Sequence, residues 1–95
     1  MIDFDWDPDK ASTNQHKHGV GFEEARTVFG DPLAAIFDDV EHALDEPRKI
    51  IIGSSAAERL LVVSFMERRD GVVRVISART ATRRESPDYE KGRTR

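Results

Sequence analysis

Three apolar runs in the second half of the chain limit what it can fold into. Ile50-Ile51-Ile52, Leu60-Leu61-Val62-Val63 and Val72-Val73-Arg74-Val75-Ile76 are rich in β-branched residues and too short for buried helices. They predict strands over 48–53, 59–68 and 72–79, the last two apolar on both faces as central strands are. Asp70-Gly71 between the last two predicts an antiparallel hairpin, because both residues tolerate the positive φ of a tight primed turn. At the other end, Ile2, Phe4 and Trp6 alternate with Asp3, Asp5 and Asp7, the pattern of an edge strand. A further strand is expected over 33–37, and an acidic surface loop over 38–46. With 95 residues the chain supports one core, so one domain over 1–95 is expected. The fold class is α+β, a sheet of four or five mostly antiparallel strands with helices on one face.

The helices are of two kinds. Phe22, Ala25, Val28 and Phe29 make an apolar stripe, so a core helix over 22–29 ends at Gly30-Asp31-Pro32. The earlier one, Pro8–His18, is bounded by Asp7-Pro8 and Gly19, yet Ala11 is its only apolar side chain besides the proline. Burial does not account for such a sequence. Lys10, Asn14, Lys17 and His18 recur at helical spacing along one face, a polar ridge suited to an anionic ligand.

Charge is divided unevenly. Residues 1–66 hold six Lys/Arg against 13 Asp/Glu, net −7, whereas residues 67–95 hold nine against five, net +4. This asymmetry predicts an anionic ligand at the basic end, or different partners for different surfaces. There is no cysteine, which removes disulfides and thiolate metal sites and suits a reducing compartment. The first residues lack the pattern of a secretory signal, and no apolar run is long enough to span a membrane, so a cytoplasmic location is expected. No metal site is expected either, since His16 and His18 point apart on a helix and His42 has no clear partner.

The remaining Lys, His, Arg and Glu residues suit metal-free RNA cleavage. There a 2′-hydroxyl attacks the neighbouring phosphorus, so a base, an acid and phosphate-binding cations are needed. Imidazole or carboxylate fits the proton transfers, and the planar fork of arginine fits the phosphate. Candidates are His18, Glu46 and Arg48 flanking Pro47, Arg79 at the end of the last strand, and Arg83 and Arg84 in the following turn. The same basic end also suits a non-catalytic nucleic-acid-binding module. Thr82-Arg83-Arg84-Glu85 has the form of a capping box, and Ser86-Pro87-Asp88 that of a second helix start.

Several stretches together resemble the BrnT family, ribonuclease toxins of BrnT/BrnA toxin–antitoxin pairs. They include Phe4-Asp5-Trp6-Asp7 with Lys10 and Asn14, Lys17-His18-Gly19-Val20, Phe22-Glu23-Glu24-Ala25, Val28-Phe29 and Asp31-Pro32. Glu46 with Arg48, Gly53, Ile76-Ser77-Ala78-Arg79 and Arg83-Arg84-Glu85 with Tyr89 follow in order. The resemblance implies a RelE-like fold, RNA cleavage that arrests translation, and no cofactor. It carries over Lys17, His18, Glu46, Arg48, Arg79, Arg83 and Arg84 as site residues without fixing which is acid and which base; catalytic roles are expected for His18, Glu46, Arg48 and Arg79, and RNA binding for Lys10, Asn14, Lys17, Arg83, Arg84 and Tyr89. It also implies a BrnA-like antitoxin partner and leaves open a dimer or larger assembly with it. Ser86-Pro87-Asp88 departs from the continuous helical run expected between Glu85 and Tyr89. The acidic segment around Asp38, Asp39 and Glu41 is the expected dock for basic segments of that antitoxin.

Overall fold

The computed structural model describes residues 2–39 and 47–85. In chain order the elements are β1 (Phe4–Asp5), α1 (Pro8–His18), α2 (Phe22–Thr27), a 3-10 turn (Val28–Gly30), β2 (Ala35–Asp38), β3 (Arg48–Ser54), β4 (Leu60–Glu67) and β5 (Val73–Thr80). The five strands form one sheet in the order β1-β5-β4-β3-β2. All neighbours are antiparallel except β1, which lies parallel to β5. The α+β class and the edge position expected for the first strand therefore stand.

One face of the sheet takes the core. Ile51, Leu61, Val63, Phe65, Val73, Val75 and Ala78 point to the side on which Phe22, Ala25 and Val28 pack. Phe4, Phe29 and Phe65 stack edge to face in series, with ring centroids 5.1 and 4.9 Å apart. The 3-10 turn presses directly on β3: a Cβ on Gly53 would stand 2.8 Å from the Ala34 Cβ and 3.0 Å from Val28 Cγ1. Only glycine admits that approach. On the opposite face Ile52 and Val62 are buried, with Ile50, Leu60 and Ala81 beside them. Strand alternation places Arg48, Ser77 and Arg79 on this second face.

Four local expectations are corrected. The first strand is shorter than 2–6, pairing only Phe4 with Val73 and Asp5 with Arg74. The strand expected over 33–37 begins at Ala35, because the Asp31 carboxylate accepts the Leu33 N–H at 3.0 Å and holds the chain in a turn. The core helix shifts to 3-10 winding at Val28. In the β4–β5 hairpin only Gly71 has a positive φ, +85°. Its N–H reaches the Arg68 carbonyl at 3.0 Å, and the Arg68 N–H reaches that of Val72 at 2.9 Å. The loop therefore has three residues and closes through a glycine bulge, which needs left-handed backbone once rather than twice. The acidic stretch 40–46 and the run Ser86-Pro87-Asp88 lie outside the described residues.

Candidate active site

Helix α1 starts and stops where local chemistry dictates. Asp7 caps it, accepting the Asp9 N–H at 2.9 Å, and Pro8 supplies the first turn. Gly19, at φ +69°, ends it by donating its N–H to the Gln15 carbonyl at 2.9 Å. Nearly every side chain is exposed, as its composition requires, and Asn14 alone is buried. The Asn14 amide donates to the carbonyls of Val20 and Ala78, both at 2.8 Å, and its Oδ1 accepts the Ala78 N–H at 3.1 Å. β1 covers β5 only at Val73 and Arg74, so farther along the strand Asn14 does what another strand would do. Both its N–H groups are thereby committed. Asn14, expected among the RNA-binding residues, fixes the helix against β5 at the cleft.

A cleft of about 310 Å³ runs along this junction, walled by Asp9, Lys10, Thr13, Asn14, Lys17 and His18 from α1 and by Ile76 and Ser77 from β5. Strand pairing passes from Ser64 opposite Ser77 to Phe65 opposite Val75, which leaves Ile76 as an extra residue. This bulge re-aims the strand at the cleft wall. The His18 end of the helix is held from outside as well. Arg59 donates to the Gly19 carbonyl at 3.2 Å while gripping the Glu24 carboxylate of α2 through Nε and Nη2. Bonds from Arg59 and from the Ser55 hydroxyl keep Glu24 below the usual carboxylate range, against the opposing effect of burial. No sequence signal marks this network, whose members lie 31 and 35 residues apart.

Arg79 stands two residues beyond Ser77 on the same face of β5, with its side chain 42% exposed. Its Nη1 and Nη2 donate to the two oxygens of Glu85 at 2.8 and 2.6 Å, and Nη1 also reaches the Thr80 carbonyl at 3.3 Å. Glu85 in turn accepts the Thr82 N–H at 2.7 Å. The carboxylate arm of the capping box read in the sequence is thus formed, and that carboxylate has a second task, anchoring Arg79. These bonds, from Arg79 first, lower the Glu85 pKa to about 2 and raise that of Arg79.

This pair predicts an acid dependence of stability. Folding lowers the Glu85 pKa, so the unfolded chain binds the proton more tightly and stability rises with rising pH. The contribution is whole above the ordinary value of 4.5 and is lost as pH falls through it towards about 2. After solvent screening of the half-exposed partner, about 1–2 kcal/mol is expected. Urea titrations of wild type and Glu85→Gln, run at pH 7 and pH 3, should give curves that lie farther apart at pH 7. Equal separation at both pH values would contradict it.

Other candidates are more dispersed. Arg48 opens β3 opposite Met66, on the same face as Arg79, but four residues along and two strands across. That is about 13 Å along the strands and about 10 Å between them. Arg83 and Arg84 are exposed in the turn after β5. Glu46 and Tyr89 lie outside the described residues. Sequence reasoning missed Arg74, which shares Asp5 with Arg68 at the hairpin end of β5. Among the described residues, no group of three or more His, Asp and Glu is placed to hold a metal ion. No helix there is long and apolar enough to cross a membrane.

A mixed five-stranded sheet with a solvated helix pinned along its last antiparallel strand makes this a small α+β protein. Residues 6–85 match the family described as the ribonuclease toxin, BrnT, of type II toxin–antitoxin systems, and the chain belongs to that family. The crystal structure of the Brucella abortus ribonuclease toxin BrnT is similar throughout its length. It shares 26% identity and a TM-score of 0.68, with 87% of this chain and 100% of that one covered. No curated protein matches the chain.

Proposed function

We propose that the chain is a metal-independent endoribonuclease that inhibits translation, with the scissile phosphate bound by Arg79 beside the α1–β5 cleft. The observation that carries this reading is the half-exposed, anchored Arg79 on the strand that forms one wall of a cleft whose other wall bears Lys10, Lys17 and His18. In the reaction the 2′-oxygen bonds to phosphorus as the P–O5′ bond breaks. A base takes the 2′-hydroxyl proton and an acid delivers one to the departing 5′-oxygen, leaving a 2′,3′-cyclic phosphate and a 5′-hydroxyl. His18 on the cleft wall is the described candidate for proton transfer, and Glu46 is the other. Glu85 is not the base: a carboxylate held at about 2 is a weak proton acceptor at neutral pH. Arg79 supplies charge and geometry rather than a proton, with Lys17 and Arg84 as electrostatic support. Purified protein should cleave single-stranded RNA in EDTA and leave cyclic-phosphate ends. A requirement for divalent metal overturns the mechanism, and binding without fragments indicates a non-catalytic module.

The partner is a BrnA-like antitoxin that neutralises the toxin and docks through basic segments on the acidic stretch containing Asp38, Asp39 and Glu41. The −7 charge of residues 1–66 supports this reading. Complex formation with a BrnA-like antitoxin should weaken about tenfold or more in D38N/D39N/E41Q, and more at low salt than at high salt. Affinity insensitive to both changes rules out that dock.

A further inference from the structure

The Arg79 guanidinium carries five N–H groups, and the way they are distributed suggests a role for Glu85. The end-on pair, one N–H from each terminal nitrogen, is taken by the Glu85 carboxylate. The remaining Nη1 proton faces the Thr80 carbonyl. What is left is the side-on pair, Nε–H and the second Nη2–H, which has no partner among the described residues. That pair is a parallel fork of the spacing that two phosphate oxygens accept. An arginine side chain has about 2 kcal/mol of rotamer freedom, so an unanchored guanidinium on a sheet face would present this fork only part of the time.

We propose that Glu85 is a positioning residue: it holds Arg79 end-on so that the side-on Nε/Nη2 fork is presented ready-made to a phosphodiester. Two further observations support it. Glu85 is itself fixed, because the same oxygen that meets Nη1 also accepts the Thr82 N–H at 2.7 Å. It is also the less exposed partner, 24% against 42% for Arg79, so the anchor is the more deeply set of the two side chains. A carboxylate on one edge and a phosphate on another occupy different donors, and substrate binding need not break the pair. The role rests on the reading of Arg79 as the phosphate ligand and adds to it the residue that orients that ligand.

The test uses the full chain as wild type, Glu85→Ala, Glu85→Gln and Arg79→Ala. Steady-state cleavage of a single-stranded RNA is measured alongside the 15N–1H resonances of arginine Nε groups, with and without an all-2′-deoxy oligonucleotide of the same sequence. Positioning predicts that kcat falls at least about tenfold in Glu85→Ala while KM stays within about threefold. Glu85→Gln, which keeps one acceptor, recovers part of the rate. The Arg79 Nε–H resonance of the wild type shifts on adding the oligonucleotide, and less so in the variants. If Glu85→Ala fails to fold, Glu85→Gln decides by the same kcat and Nε–H readouts. Unchanged cleavage in the Glu85 variants, a loss confined to KM, or a faster and tighter-binding variant overturns the positioning role. In the last case Glu85 competes with substrate. Failure of the underlying reading looks different: Arg79→Ala itself cleaves like wild type, and the oligonucleotide leaves the Nε–H unmoved.

Discussion

Arg79→Ala is expected to lower the rate of RNA cleavage by at least about 100-fold, the effect of deleting one aligned charge-stabilising donor from a reaction centre. The fold is expected to survive. Arg79 is 42% exposed and its ion pair with Glu85 is partly solvated, so its removal costs only the pair's contribution, about 1–2 kcal/mol of stability. Activity and stability therefore separate at this position, which is what distinguishes a reacting-centre cation from a structural one. Arg79→Lys sharpens the test. It restores the charge but provides neither the end-on fork that Glu85 holds nor the side-on fork left for phosphate, so it should remain well below wild type, recovering at most about a tenth of the lost rate. Initial rates on labelled RNA in EDTA, with thermal unfolding of each variant in parallel, decide it. Cleavage by Arg79→Ala within threefold of wild type would show that the phosphate ligand lies elsewhere, with Arg48, about 13 Å along the same face, the next candidate.

How much of this was legible in the sequence depended on the range of the forces involved. The bounds of α1 were readable because Asp7, Pro8 and Gly19 act within one turn of the backbone they cap. The three central strands were readable because their apolar runs admit burial and little else. The place of the turn between β4 and β5 is legible but its geometry is not, since Asp70-Gly71 fits a two-residue or a three-residue loop. The register that chooses between them is fixed by pairing of Phe65 with Val75 and Glu67 with Val73. The cationic face of α1 was visible as spacing, but spacing did not show which of its members turns inward. Lys10, Asn14, Lys17 and His18 all line the cleft, but Asn14 alone among them is buried, its amide bonded to the backbone of Ala78. Glu85 presents the reverse case. Its local role as a capping residue was readable at three residues' separation, and its hold on Arg79, which depends on where β5 ends, was not.

Asn14→Ala should produce the largest loss of stability of any single polar substitution in the described chain, about 3–5 kcal/mol. Three backbone groups lose their partner at once: the N–H and carbonyl of Ala78 and the carbonyl of Val20. Alanine leaves them in a site that water does not reach freely, since Ala78 and Val20 are fully buried. For a chain of this length each kcal/mol moves the midpoint of thermal unfolding by about 4–8 °C, so a fall of about 12 °C or more is expected. Asn14→Asp separates hydrogen bonding from shape. The carboxylate can still accept from Ala78, but its second oxygen faces two carbonyls in place of the N–H groups that met them. Burial and those carbonyls raise its pKa, the folded state then binds the proton more tightly, and stability of this variant should rise as pH falls from 7 to 5. That is opposite in sign to the effect of the Glu85 pair. Amide exchange at Ala78 gives the local readout, because losing the side-chain bond opens that N–H even where the sheet persists. The same loss frees α1, which has only Ala11 to bury besides Asn14, and carries Lys10, Lys17 and His18 away from β5. Cleavage should therefore fall with exchange protection. A variant that kept Ala78 protected and unfolded at the wild-type temperature would show that the helix is held by something other than this amide.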